Sequence, residues 1–200
     1  MRRQLADGVL FSVTSIELGI LVAQTPVFTL VDWIYIAQHL LVLAVALLRP
    51  PSIAHDHSFS ANAAVIVSYA YPYAQVALLD WRPGYEAWPA MGLVLVTFAA
   101  MLSCISLISL GRSFGVRPAL RRLVTRGSYR FTRHPIYLSY LISDVGYVLQ
   151  EWNVATLLLL VAGWASLFYR IRAEERVLCG DAGWGSYAAA VPYRLLPGVW

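Results

Sequence analysis

The sequence predicts an all-α fold: a polytopic transmembrane helical bundle of about six spans, with a C-terminal helix at the cytoplasmic interface. Composition is the first reason, because 59% of the 200 residues are hydrophobic, 13% are charged and the mean hydropathy is +0.62. A water-soluble domain of this size is less apolar. Apolar runs of membrane length are the second reason, and arginines gathered between those runs are the third.

The spans follow from the length of each apolar run, since a helix needs about 20 such residues to cross a bilayer. Six runs are candidates: 8–25, 33–48, 62–79, 88–110, 135–150 and 153–169. The last two are short and joined by residues 150–153, which predicts a tight hairpin whose halves need not both cross completely. We divide the chain into N-terminal transmembrane helices, 1–86, and a membrane core, 87–200.

The arginines predict the orientation. All fifteen basic residues are arginine, and fourteen of them share one side if there are six spans and the N-terminus is cytoplasmic. Arg82 is the exception. The sequence therefore predicts an integral, multi-pass membrane protein with both termini cytoplasmic. Because the arginines flank apolar spans, we expect membrane lipids as partners and no nucleic acid.

Two polar segments are predicted to lie along the cytoplasmic interface. Segment 111–134 is basic and too polar to span. Segment 173–191 is predicted to be an amphipathic helix, although glycines weaken its middle. Its apolar residues recur at roughly helical spacing: Val177, Leu178, Trp184, Tyr187 and Val191.

A short loop holds His55, Asp56 and His57. A His-x-His pair can bind a metal, but no nearby cysteine or second histidine pair completes a ligand set. We therefore expect no metal.

Arg133, His134 and Pro135 stand at the entry to the fifth span. Proline suits the first turn of a helix, where the free amides and the helix dipole favour a carboxylate or phosphate. Tyr137 follows within the first turn. An ordinary interfacial helix start with a belt aromatic explains the same residues equally well.

Glu174 and Glu175 follow the sixth span, after Arg170 and Arg172. An i,i+4 pair between Arg170 and Glu174 would stabilise a helix slightly. The two acids could also accept hydrogen bonds from a cationic or hydroxylated ligand. The hairpin returns the chain to the same membrane face, so we expect the glutamates to meet the Arg133–Tyr137 segment.

The combined pattern is specific. It consists of Gly127-x-Tyr129, then Arg133-His134-Pro135-x-Tyr137, then Phe168-x-Arg170-x-Arg172-x-Glu174-Glu175, and finally Tyr187 and Val191-Pro192. Over residues 107–200 this resembles the isoprenylcysteine carboxyl methyltransferase family and the related phospholipid N-methyltransferases. Those are polytopic membrane enzymes that use S-adenosylmethionine.

The resemblance implies roles for individual residues. It implies that the cofactor is bound by Tyr129, His134, Pro135, Tyr137, Glu174 and Glu175. It implies a catalytic set of Arg133, His134, Arg170 and Arg172, with the last two near the acceptor group or the cofactor carboxylate. Family members often have glycine two residues after the tyrosine; Ser139 stands there instead, so we expect an altered pocket.

The resemblance also implies methyl transfer to a lipophilic acceptor that enters from the bilayer, with a prenylcysteine carboxylate and a lipid head group as the two candidates. A carboxylate needs no base, whereas an amine or hydroxyl would need to lose a proton, for which His134 is the nearest candidate. Aromatic residues could line the entry path, although an aromatic belt explains them as well: Tyr69, Tyr71, Tyr73 and Trp81.

Two alternatives stay open at this point. Membrane sterol reductases also have an Arg-His-Pro-x-Tyr segment and a C-terminus similar to Val191–Pro197, which would make the ligand NADPH. The second alternative is a membrane scaffold without catalysis.

Overall fold

The computed structural model describes four long stretches, residues 27–50, 88–115, 118–150 and 153–196. It also describes these short ones: 11–12, 14–16, 18–19, 22–23, 54–55, 58, 60, 63–68, 198 and 200. The helices with described bounds are α1 Leu30–Leu48, α2 Pro89–Leu110, α3 Pro135–Gln150, α4 Val154–Leu178 and α5 Trp184–Ala190. Residues 63–68 are also helical.

Two of these helices begin at capping boxes. The Thr29 hydroxyl accepts from the Asp32 amide, and the Asp32 carboxylate accepts from the Thr29 amide, at the start of α1. Asn153 and Thr156 make the same reciprocal pair at the start of α4. Each box satisfies backbone amides that the first helical turn leaves without partners, and so fixes where the helix begins.

Helices α2 and α3 approach each other closely at two glycines. A Cβ atom at Gly92 would lie 2.5 Å from the Gly146 carbonyl oxygen, and one at Gly146 would lie 2.8 Å from the Gly92 carbonyl oxygen. Small residues allow this contact in membrane helices, where close packing replaces the hydrophobic effect as the driving force. Helix α1 packs against α2 through a core around Val45 and Leu107 that also includes Ile136 of α3.

By length and composition, three segments in the described part of the chain can cross a membrane: Leu30–Leu48, Pro89–Ser113 and Val154–Leu178. They correspond to the predicted spans 33–48, 88–110 and 153–169. Helix α3 has the bounds predicted for the fifth span, but its 16 residues extend about 24 Å, less than the ~30 Å hydrocarbon core. The predicted spans 8–25 and 62–79 are described only in part, so six spans and the orientation stay predictions.

Helix α4 is longer than the predicted span because it continues to Leu178. The apolar run stops at Tyr169, but no glycine or proline follows before Gly180, and charged residues propagate a helix well. Arg170, Arg172 and both glutamates are therefore on the same rigid helix as the membrane segment.

The single amphipathic helix predicted for 173–191 is divided in the structure. Residues 173–178 end α4, a turn follows, and α5 occupies Trp184–Ala190. The turn is stabilised by the Gly183 amide, which donates to Asp181 Oδ1 at 2.8 Å. Three of the five predicted apolar residues, Trp184, Tyr187 and Val191, are nevertheless buried in one cluster, and Leu178 packs against it.

The basic segment after α2 is anchored to the end of α1. Strand β1, Ala54–His55, pairs with β2, Ala119–Leu120, in an antiparallel register with Ala54 opposite Leu120. Arg112 Nε donates to the carbonyl of Leu48 at 2.8 Å. A cation at a helix C-terminus also interacts favourably with the helix dipole.

Some sequence predictions fall on parts of the chain that are not described. His55 belongs to β1, whereas Asp56 and His57 are outside the described residues, as are the aromatic residues proposed for an entry path: Tyr69, Tyr71, Tyr73 and Trp81.

Candidate functional site

The two polar motifs meet at the ends of α3 and α4. His134 precedes α3, and its ring Nε2 lies 3.3 Å from Glu175 Oε1, while its Nδ1 lies 3.8 Å from Glu174 Oε2. The Tyr137 hydroxyl donates to Glu174 Oε1. The His134 and Tyr137 rings stack with centroids 5.6 Å apart. The convergence expected from the hairpin is therefore present.

Glu175 lies at the centre of a buried ionic cluster. Arg133 Nη1 is 3.1 Å from its Oε1, and Arg194 Nε donates to its Oε2 at 2.7 Å. The side chains of Glu175 and Arg133 are only 9% and 10% exposed. Both carboxylate oxygens already face arginine or histidine partners. Glu175 is therefore placed to hold the side chains of Arg133, His134 and Arg194 in position.

Glu174 has a different environment although it is the next residue. Its side chain is 21% exposed and lines a cavity between α3, α4, α5 and the basic segment. The hydrogen bond from Tyr137 holds the carboxylate against the cavity wall.

Residues 191–196 fasten the start of α3. The backbone amides of Arg133 and His134 each donate at 3.0 Å to the carbonyls of Tyr193 and Arg194. The Thr132 hydroxyl donates to the Arg194 carbonyl at 2.6 Å. These bonds fix the backbone from Thr132 to His134, and the contacts of the ring with both glutamates set its orientation.

Two tyrosines form another wall of the cavity. The Tyr187 hydroxyl donates to the Tyr129 carbonyl at 2.9 Å. Burial raises the pKa of Tyr187 to about 12 and the pKa of Tyr129 well above its usual range, so both phenols stay neutral near neutral pH. The turn before Tyr129 requires glycine, because Gly127 has φ +64° and a Cβ there would clash with Ser109.

The cavity has a volume of about 110 Å³ and combines arginines with aromatic rings. The predicted residues Tyr129, Arg133, His134, Tyr137, Arg170 and Glu174 line it. Further lining residues include Arg121, Arg122, Tyr140, Trp184 and Tyr187. Such walls suit a ligand with both a flat ring system and charged groups.

An apolar groove opens on the other side of the same helices. It has a volume of about 810 Å³ and is lined by aliphatic and aromatic residues of α3 and α4, such as Leu141, Phe168 and Trp200. Arg172 is the charged residue among its described lining residues. Tyr137, which lines the cavity, packs in one cluster with Leu141 and Leu195 of the groove, so the two sites share a wall.

Comparison with known proteins agrees with the geometry. A sequence model of the isoprenylcysteine carboxyl methyltransferase family matches residues 91–180. The resemblance to that family is thereby confirmed. A relative in Arabidopsis thaliana, protein-S-isoprenylcysteine O-methyltransferase B, is 25% identical over 186 residues, which cover 84% of this chain and 90% of the relative. The family match and the three long apolar helices together indicate a membrane methyltransferase.

The structure separates the residues that the family pattern groups together. Arg172 lies in the groove and not in the cavity, since it points away from Arg170 on the same turn of α4. Pro135 and Glu175 are buried behind the cavity wall. Ser139 is 1% exposed, donates to the Ile136 carbonyl at 2.6 Å and is not among the residues that line the cavity, so the altered pocket stays a prediction.

The sequence patterns alone do not identify several residues at the site. Arg121 and Arg122 were explained by the positive-inside pattern alone, and Arg194 by its place after the last span. Trp184 is predicted only as part of an apolar helix face, whereas Tyr187 also belongs to the family pattern; both are buried in one cluster, and both line the cavity. The available signal in the sequence is the adjacent pair Arg121 and Arg122 in a loop that contains several glycines.

Proposed function

We propose that the protein is an integral membrane methyltransferase that transfers a methyl group from S-adenosylmethionine to the carboxylate of a prenylcysteine-like acceptor. The observation that carries the proposal is the placement of Glu174 on an arginine- and aromatic-lined cavity beside an apolar groove. The family match and the name of the Arabidopsis relative support the choice of reaction.

The residues of the cavity fit this cofactor. Glu174 offers a carboxylate to the amino group, and the rings of Tyr129, Tyr140 and Trp184 offer faces to the adenine and the sulfonium. When bound, the cofactor supplies a methyl group on cationic sulfur, whose C–S bond breaks with the electron pair left on sulfur as the new bond to the acceptor oxygen forms.

The amino-acid carboxylate of the cofactor requires a cation, and Arg122 is the best placed. It is exposed and lines the cavity. Pockets for drug-sized ligands measure about 300–1,000 Å³, more than this cavity, so entry of the cofactor requires side chains to move aside. Exposed Arg122 can do so at little cost, whereas the Glu175 cluster beneath is fixed by its ion pairs.

The groove fits the acceptor. Its apolar lining would contact a lipid chain, and Arg172 would pair with a carboxylate at the rim. Arg170 on the cavity side and Arg172 on the groove side flank buried Ile171, so one turn of α4 presents a guanidinium to each site. The carboxylate of an acceptor that moves from the groove toward the cavity therefore stays close to a guanidinium group, first that of Arg172 and then that of Arg170.

The surroundings of His134 favour a carboxylate over an amine as acceptor. Its Nε2 lies near Glu175, its Nδ1 is the nitrogen nearer to Glu174, and the side chain is 4% exposed. A ring whose two nitrogens both face acids is poorly placed to take a proton from a substrate. A carboxylate needs no such step, because the attacking oxygen is already ionised.

The arginine distribution supports a cytoplasmic location for the site, which lies at the ends of α2, α3 and α4 near the basic segment. Membrane lipids would surround the groove and supply the route by which the acceptor enters.

The proposal is tested by methyl transfer with the purified protein in detergent or nanodiscs. We expect label from methyl-labelled S-adenosylmethionine to appear on N-acetyl-S-farnesylcysteine. The carboxamide of that acceptor and phosphatidylethanolamine are the controls, and neither is expected to accept label. Labelling of phosphatidylethanolamine but not of the farnesylcysteine would overturn the proposed acceptor.

A further inference from the structure

The groove is built from two helical faces of regular spacing. Trp164, Phe168 and Arg172 are four residues apart on α4, so they lie in one row along the helix. On α3 the facing row is Leu138, Leu141, Ile142 and Val145. The rise of a helix separates Trp164 from Arg172 by about 12 Å along α4. The groove therefore has a charged end at Arg172 and a deep end at Trp164.

An acidic residue of α3, Asp144, positions Trp164 at the deep end of the groove. Trp164 Nε1 donates to Asp144 Oδ2 at 2.9 Å, and Asp144 is 5% exposed. Burying an acid at this depth is costly, and residues retained there usually serve a specific purpose. Here the hydrogen bond fixes the indole of Trp164, which is half-buried and forms part of the groove wall.

The remaining walls at this depth are also fixed. Leu95 of α2 and Val145 of α3 line the groove within three residues of the Gly92–Gly146 contact, where the two helices cannot separate without losing their closest packing. A chain entering from the Arg172 end therefore meets a rigid boundary made of Leu95, Val145 and Trp164.

The opposite end is bounded by a second tryptophan. Trp200 packs edge-on against Phe168 with ring centroids 5.1 Å apart, and the guanidinium carbons of Arg194 and Arg172 lie 4.9 Å and 6.0 Å from its ring centroid. Trp200 therefore lies at the charged end of the groove, whereas Trp164 lies at the other end.

We propose that Trp164, positioned by Asp144, is a specificity-determining residue that sets the depth of the groove and so the length of the apolar chain that the acceptor can carry. The inference rests on the proposed function, because it assumes that the acceptor's lipid chain occupies the groove. Asp144 acts as a positioning residue, since it reaches the substrate only through the indole.

The test compares kcat/KM for S-geranyl, S-farnesyl and S-geranylgeranyl cysteine carboxylates. In Trp164→Ala the groove is deeper, and the preference for geranylgeranyl over farnesyl should rise by at least about tenfold, the lower limit of the discrimination that a single methylene provides in an apolar pocket. Trp164→Phe should retain the wild-type profile. Leu95→Phe fills the deep end from α2 and should disfavour the geranylgeranyl acceptor without altering Trp164.

Two further variants distinguish positioning from packing. Asp144→Asn keeps an acceptor oxygen for the indole and should preserve the chain-length profile, whereas Asp144→Leu should shift it in the direction of Trp164→Ala. Trp200→Ala is the matched control, and it should raise KM for all three acceptors by a similar factor because it lies at the charged end.

The outcomes separate the two proposals. If wild-type protein methylates none of the acceptors, the proposed function and this inference both fail. If wild-type protein is active but Trp164→Ala and Leu95→Phe both keep the wild-type chain-length profile, only the inference is overturned.

Discussion

The Nε atom of Arg194 donates a hydrogen bond of 2.7 Å to Glu175, which ties segment 191–196 to the helix that carries the paired glutamates. Glu175 also meets Arg133 and His134 from the start of α3. One carboxylate therefore joins three separate parts of the chain, while its neighbour Glu174 faces the cavity. The two adjacent acids have different tasks, and the difference can be measured.

Glu175→Gln should destabilise the folded protein. The substitution leaves Arg133 and Arg194 beside a neutral group, and breaking a buried ion pair costs about 3 kcal/mol when one partner remains buried. Arg194 is 32% exposed and recovers some hydration, so the cost falls mainly on Arg133. Thermal unfolding in detergent should show a clear drop in midpoint. An unchanged midpoint combined with lost cofactor binding would instead make Glu175 a direct ligand.

Glu174→Gln should leave the unfolding midpoint close to wild type, because the side chain is partly exposed and the amide can still accept from Tyr137. Affinity for S-adenosylhomocysteine should fall by ten- to a hundredfold, the loss expected for a charge-assisted hydrogen bond of about 1.5–3 kcal/mol. Isothermal titration calorimetry measures this directly. The assignment of Glu174 fails if the variant binds as tightly as wild type.

Arg122→Gln should weaken binding of S-adenosylhomocysteine but not of methylthioadenosine, which has no amino-acid carboxylate. The reason is that Arg122 lines the cavity as an exposed cation, suited to that one group. Arg126→Gln is the matched control, since Arg126 is exposed in the same segment and does not line the cavity. Equal weakening of both ligands would assign Arg122 to the adenosine part.

Gly146→Ala should destabilise the contact between α2 and α3. The added Cβ would lie 2.6 Å from Val96 Cγ2 and 2.8 Å from the Gly92 carbonyl oxygen, so the helices must separate. Overpacking of this kind costs about 1–3 kcal/mol. Gly185→Ala is the control, because a Cβ at Gly185 meets nothing within 4 Å and the residue lies in helix α5. Comparable unfolding midpoints for the two variants would argue against tight α2–α3 packing.

The helices and the meeting of the two motifs were predictable for local reasons. Apolar length predicts α1 and α2 closely, and Pro135 marks the start of α3. The connection formed by residues 150–153 is short, so α3 and α4 must run antiparallel. This alone predicts that His134 lies near Glu174 and Glu175.

The different environments of the adjacent residues Glu174 and Glu175 are not predictable in this way. Glu174 and Glu175 differ by about 100° around α4, and which of them faces the cavity depends on where segment 191–196 docks. Arg194 supplies that docking from outside both motifs. The predicted sixth span ends at residue 169 with the apolar run, whereas the helix continues through its charged residues to Leu178.

The central claim is that the cavity beside Glu174 binds S-adenosylmethionine, and thermal unfolding of the purified protein with added ligand tests it most directly. A ligand that binds only the folded state stabilises it by about 2.7 kcal/mol at one hundred times its Kd. The account predicts a midpoint that rises with S-adenosylhomocysteine concentration and does not respond to NADPH. A midpoint that rises with NADPH alone would contradict it and indicate a reductase.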